Sequence, residues 1–127
     1  MEINTHESIN RALCGEPRQT KEGYSRVELQ TTVDMAVDDS GLVHGGFIFG
    51  QADHAAMIAV NHPNVVLGAA EVKFLKPVKT GELVIAEAKV TETSGKKRIV
   101  DVSVTREKVT VFEGRFTCFI LDRHVLG

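Results

Sequence analysis

Hydrophobic positions along this chain follow two periods. From Tyr24 to Val33, Val27, Leu29 and Thr31 alternate with Arg26, Glu28 and Gln30, the period of two that marks a half-buried strand. Val65 to Phe74 repeats it, with Val72 and Phe74 set against Glu71 and Lys73. Glu82 to Thr93 does so again, with Ala86, Ala88 and Val90 against Glu87, Lys89 and Thr91. Pro77 and Gly81 mark a turn between these two. Ser94-Gly95 with Lys96-Lys97 reads as a hairpin, after which Val100, Val102 and Val104 alternate with Asp101, Ser103 and Thr105 over Arg98 to Arg106. A last strand is expected from about Val111 to Leu121. The stretch from Gly45 to about Val60 differs in kind. Phe47, Ile48, Phe49, Ala52, Ala55, Ala56, Met57, Ile58 and Ala59 make it apolar on nearly every face, as in a helix buried on all sides. Pro63, just after Asn61-His62, ends it. Ile9, Ala12 and Leu13 after Ser8 suggest a short opening helix that stops near Cys14-Gly15. The sum is one strand, a loop over Asp34 to Val43, one long helix and four more strands, with no internal repeat, low-complexity tract or linker.

The turns after the helix are short, so that sheet must be antiparallel, because parallel neighbours need a long crossover. The helix must lie against it. Gly45, Gly46, Gly50 and many alanines give the helix a slim surface that lets a curved sheet wrap closely, an α+β architecture with one central helix. At 127 residues the chain makes one domain, residues 1–127, with a real core and no room for a second.

Charge and cysteines narrow the function further. The formal net charge is -2 with acids and bases interspersed, which leaves no stripe for nucleic acid. Cys14 and Cys118 are far apart without metal or C-x-x-C spacing, which suits reduced thiols and a cytoplasmic location. The first residues lack a basic-then-apolar leader and no apolar run approaches the ~18 residues of a membrane span, so a soluble, unprocessed protein without a membrane partner is expected. No His, Cys and carboxylate set has ligand spacing, so no metal is expected. What remains is Asp53, an acid inside the apolar helix. Burying it is costly without a partner or a task, and an acid in an apolar site is a common mark of a working group.

Two motifs then carry a resemblance. H-G-G-F-x-x-x-x-A-D, from His44 to Asp53, opens the helix, and F-L-K-P-V-x-x-G-E-L runs from Phe74 to Leu83. With the order β-α-β-β-β-β, and with Gly41 three residues before His44, the chain from roughly Gly23 to Leu121 resembles the hotdog fold. More narrowly, it resembles acyl-CoA thioesterases of the phenylacetate-pathway type. The resemblance implies a curved antiparallel sheet around one long helix and coenzyme A as part of the substrate, with no cofactor. It assigns the Gly45 N–H to the thioester carbonyl and makes Asp53 the group that attacks it or activates water. A helix N-terminus, with unpaired N–H groups and a positive dipole end, suits the oxyanion of that reaction.

Eight residues at about 1.5 Å rise put Gly45 and Asp53 roughly 12 Å apart, too far to serve one carbonyl carbon. Both roles together require the glycine and the acid of each site to come from different protomers, hence a homodimer at least, and the resemblance also admits a homotetramer, a dimer of dimers. Phe47, Phe74 and Gly46 would border an apolar acyl pocket, aromatic or medium-chain. Asp38 stands where related thioesterases often carry an asparagine that helps hold water. Leu67-Gly68-Ala69-Ala70 stands where they carry a serine or threonine.

Other residues have plainer readings. His44 is a helix-entry residue or a catalytic base, and His54 points away from Asp53 as a packing residue. His6, His62 and His124 belong to loops or termini. Lys96, Lys97, Arg98 and Arg106 either meet the phosphates of coenzyme A or are solvated strand ends. Glu71 faces solvent with Lys73. One rival function is an enoyl-CoA hydratase or dehydratase using Asp39 and His44, whose D-x-x-x-x-H spacing resembles that family's pair. It lacks the usual Asn-Pro and leaves Asp53 idle. The other rival is a non-catalytic acyl-CoA-binding module.

Overall fold

A computed structural model describes all residues, 1–127. A single turn of helix, α1 (Arg11–Cys14), leads into β1 (Glu16–Lys21) and β2 (Tyr24–Gln30); a 3-10 turn (Val33–Met35) and a loop follow, then α2 (Gly45–Val60). The chain continues through β3 (Val65–Phe74), β4 (Leu83–Ser94), β5 (Lys97–Arg106) and β6 (Val109–Ile120). The six strands form one sheet in the order β1-β2-β4-β5-β6-β3, antiparallel throughout. It curves around α2 in the hotdog arrangement. No helix is long and apolar enough to cross a membrane.

The core is built where the buried faces of β2, β4, β5 and β6 meet the helix, while β3 buries only Val65 and its expected alternation of Val72 and Phe74 lies largely open. Ala86 pairs with Val104 and Val104 with Phe112, while Val100 pairs with Phe116, and all five are fully buried. Opposite them Ala52, Ala55 and Ala56 have no exposed surface. Methyl-sized side chains there bring the helix backbone close to the sheet, close enough for Ser25 Oγ to donate to the Ala55 carbonyl at 2.6 Å.

Two expectations are corrected, and a third holds. There are two strands before the helix, because β1 was not legible: Glu-Pro-Arg-Gln-Thr-Lys has no apolar alternation. It is an edge strand held only by β2, where Pro17 costs no ladder bond on the open side. The short opening helix is present as α1, which stops at Cys14 before Gly15 and is capped by the Asn10 side chain on the Leu13 N–H. And α2 is not buried on all sides. Gly46 is exposed, Phe47, Phe49, Gly50 and Asp53 are half-buried, and a Cβ at Gly50 would meet nothing within 4 Å. The helix ends at Asn61, which takes the left-handed conformation (φ 54°) and donates its N–H to the Met57 carbonyl.

The close approach gives a direct test. Replacing Ala55 by leucine forces three extra carbons between helix and sheet, and is expected to cost about 1–3 kcal/mol in urea denaturation. Gly50→Ala, pointing into open space within an α-helix, is expected to be neutral or stabilising by about 1 kcal/mol in the monomeric chain.

Candidate active site

The N-terminus of α2 is fixed by the loop before it. Val37 N–H bonds to Leu42 O (2.9 Å), His44 N–H to Met35 O (2.8 Å), and Val43 N–H to Val78 O (2.8 Å), while Thr80 N–H returns to Gly41 O (2.8 Å). Gly41, at φ 83°, makes the turn that this stitching needs. His44 takes the N-cap position with extended backbone and no side-chain cap bond. Its ring lies over Gly46, where a Cβ would come within 3.0 Å, and edge-on to Phe47 at 6.1 Å. The N–H groups of Gly45 and Gly46 have no acceptor in the chain. Two free amides thus sit at the positive end of a 16-residue helix, the arrangement that receives a developing oxyanion.

Beside these amides is an apolar cavity of about 340 Å³, lined among others by Gly45, Ile48, Leu42, Phe74, Val78 and Val111. The Phe74 ring rests on Gly45, where a Cβ would meet it at 3.1 Å, and stands edge-on to Phe112 at 5.1 Å. The Phe74–Val78 wall is pinned by Leu75 N–H on Val111 O (2.8 Å) and by Arg106, which donates to Pro77 O (2.6 Å). Arg106 also faces Glu82 at 3.4 Å, so it holds the wall and is not a free cation. A larger depression of about 580 Å³ on the outer sheet face, among Glu71, Asp101 and Arg115, contains neither Asp53 nor Gly45.

Asp53 lies two turns along the helix, on the half-open stripe it shares with Gly46 and Gly50. One carboxylate oxygen, Oδ1, is enclosed and has no hydrogen-bond partner, and no cation pairs with the group. Burial pushes its pKa up to about 6, because the charged form loses hydration that nothing replaces. The thiols of Cys14 and Cys118 are raised by burial and then by the Asp53 charge, Cys118 to about 12, so both stay protonated at neutral pH. Asp53 does not line the cavity beside its own Gly45.

The remaining expected residues fall into place unevenly. Phe47 packs on the core beside the helix start, half-buried. Asp38 is exposed and accepts from the Ser40 N–H and hydroxyl, which hold its carboxyl below the usual range. Asp39 makes no hydrogen bond or ion pair with His44, so the hydratase pair is not assembled. His54 is a packing residue, fully buried, with Nδ1 on the Cys14 carbonyl at 3.1 Å and its ring stacked on His6 at 6.3 Å. Lys96 is paired with Asp122 (2.8 Å) and Arg98 donates to the carbonyls of Gly95 and Lys97. That hairpin lies the length of β5, about 30 Å, from Arg106 and the cavity. Lys76 of the F-L-K-P motif stands on the cavity rim, a position that no local pattern distinguishes from an ordinary turn lysine.

Asp53 links stability to pH. Its carboxyl keeps its proton to about pH 6 when folded and to about 4 when unfolded. Folding therefore takes up a proton between those values, and stability falls as pH rises through them, by up to about 3 kcal/mol. His6 and His54, whose pKa values burial lowers, act in the opposite sense. Subtracting the urea-stability profile of Asp53→Asn from that of the wild type is expected to leave the Asp53 contribution alone, declining from pH 4 to 6.

Comparison with known proteins agrees with this fold. The fold superimposes on an uncharacterized protein from Pyrococcus horikoshii with a TM-score of 0.99 and 56% identity, over 100% of this chain and 98% of that one. It matches the PaaI protein of the phenylacetic acid degradation operon of Escherichia coli with a TM-score of 0.84 and 24% identity, over 94% and 88%, a likeness of fold. Among curated sequences, methylthioribose-1-phosphate isomerase of Aquifex aeolicus is 54% identical over 96% of this chain but only 27% of its own length. Transcription factor FapR of Caldanaerobacter subterraneus is 32% identical over 84% of this chain and 52% of its own. The chain thus spans about a quarter to a half of these relatives. Residues 40–113, which carry the stitched loop, the free amides of the helix start, Asp53 and the Phe74 wall, match the family described as the thioesterase superfamily, and to that superfamily the chain belongs.

Proposed function

We propose that this chain hydrolyses acyl-CoA thioesters, with Asp53 as general base or nucleophile and the Gly45 amide as oxyanion donor. The observation that carries the proposal is the enclosed, unpaired carboxylate oxygen of Asp53 on a helix whose first two N–H groups are also unpaired. Neither group has a structural partner, and together they supply what thioester hydrolysis requires.

As a base, Asp53 takes a proton from water while the oxygen attacks the thioester carbon. The carbonyl oxygen becomes an oxyanion against the Gly45 N–H, with the Gly46 N–H beside it. Collapse breaks the C–S bond, and the coenzyme A thiolate leaves and takes up a proton. As a nucleophile, Asp53 forms an acyl anhydride that water then cleaves. The acid and its own Gly45 border no common cavity, which supports a site completed by a second copy across a two-fold axis, with the half-open Gly46–Gly50–Asp53 stripe facing the partner. The apolar cavity suits an aromatic or medium-chain acyl group. Lys76 on its rim, rather than the distant Lys96–Arg98 hairpin, is placed for a phosphate of the carrier. The reaction needs no metal or cofactor, and a cytoplasmic setting suits the reduced cysteines.

One observation favours a second reading, a non-catalytic acyl-CoA-binding module: a curated relative of similar sequence is a transcription factor, FapR. The unpaired acid argues against it. Free-thiol release from a panel of aromatic and straight-chain acyl-CoAs separates the two. Asp53→Asn, folded and with unchanged oligomeric state, is expected to lose about a hundredfold or more in kcat. The wild-type rate is expected to fall as pH drops below about 6, since the working carboxylate must be ionised. Asp39→Asn is expected to keep the rate within about twofold, because a solvated loop carboxylate makes no contact that the reaction uses. Ligand binding without thiol release would support the binding module instead.

A further inference from the structure

Gln51 is the one other polar side chain that points from α2 into the core and is wholly enclosed by it, apart from His54. Its Nε2 donates to two carbonyls, Val27 O on β2 and Val84 O on β4, each at 3.0 Å. These strands pair with each other, Leu29 against Val84 and Val27 against Ala86, so one amide ties the helix to two adjacent strands. Its Oε1 is buried and has no partner. A buried amide oxygen left unsatisfied costs free energy that an apolar side chain of similar size would avoid. The chain therefore keeps a locally unfavourable group at this place.

The geometry of the helix supplies a reason. At about 100° per residue, Gln51 and Asp53 lie about 200° apart, on nearly opposite faces. Around them the buried surface of α2 mixes the methyl-sized Ala52, Ala55, Ala56 and Ala59 with the longer Ile48, Met57 and Ile58. Apolar burial is not directional and fixes rotation about the helix axis less sharply than hydrogen bonds do. Directional bonds resist it, and Gln51 contributes two of the four that hold this helix laterally, beside Ser25 on Ala55 O and His54 on Cys14 O.

We propose that Gln51 is a positioning residue: its double bond to the Val27 and Val84 carbonyls sets the rotation of α2 and so aims Asp53. This rests on the proposed role of Asp53 only for its catalytic consequence; the orientation itself is testable without activity.

The test uses Gln51→Met in the full chain, with Gln51→Leu as a second variant should the first not fold. Three quantities are measured: the melting temperature, the titration midpoint of the Asp53 carboxyl by 13C NMR, and acyl-CoA hydrolysis. The expected result is a folded variant melting at or above the wild type, in which the Asp53 midpoint moves down toward that of an ordinary carboxyl. Its kcat falls about tenfold or more while KM stays within about twofold, the pattern of a misaimed group. An unchanged Asp53 midpoint in a folded variant overturns the proposal, whatever the melting temperature. So does a shifted midpoint with unchanged kcat in an active wild type. If the wild type releases no thiol, the thioesterase reading fails and the NMR titration alone decides whether Gln51 aims Asp53.

Discussion

The structure depends on how closely the sheet approaches one helix. Ala52, Ala55, Ala56 and Ala59 set methyl groups along the sheet-facing surface of α2, beside the longer Ile48, Met57 and Ile58, and the inner faces of β4 and β5 answer with Ala86, Ala88, Val100, Val102 and Val104. Larger side chains appear where the sheet curves away, with Phe112 and Phe116 filling the space toward β3. Burial of this size stabilises through area removed from water, which is not directional. Direction comes from a few polar groups, above all Gln51 and Ser25, whose bonds to backbone carbonyls hold the helix in one orientation.

That orientation divides the helix surface by chemistry. One side is anchored and dry. The other, running along Gly46, Gly50 and Asp53, is slim and half-open, and it carries an acid whose burial is uncompensated. The helix start adds two free amides, kept free because His44 caps without its side chain and because the preceding loop bonds to Val78 and Thr80 rather than to the helix. The electrostatic cost of Asp53 and the unsatisfied amides of the helix start are thus concentrated on one helix. Such a distribution is what a working site requires, since groups that satisfied each other would have nothing left for a substrate.

Much of this was legible in order. The helix bounds, Gly45 to Val60, followed from the change of period at each end, and those of β3 from the Pro63 before it and the Pro77 turn after it, although β3 buries only Val65 and leaves Phe74 exposed. The hairpin at Ser94-Gly95 followed from turn chemistry. Gly45, Gly46, Phe74 and Asp53 stood out because a glycine pair and an acid are anomalous in apolar surroundings. β1 was not legible, since an edge strand exposed to water needs no alternation and is held by backbone bonds to β2 that leave no mark on side-chain type. Gln51 carried the same signal as Asp53, a polar residue in an apolar helix, but whether it anchors or reacts depends on which way it points.

The amino-acid sequence by itself determined the elements, their antiparallel connection and the residue types available for chemistry, because periodicity, turn residues and helix-start glycines act over a few neighbours. The tertiary structure decided what those residues face. It placed Asp53 on the open stripe and Gln51 beneath the sheet, gave Arg106 to the Pro77 carbonyl and Lys96 to Asp122, and left the amides of Gly45 and Gly46 unpaired beside an apolar cavity. These outcomes turn on contacts between segments tens of residues apart, and on the burial that shifts a carboxyl to about 6, neither of which any local pattern encodes.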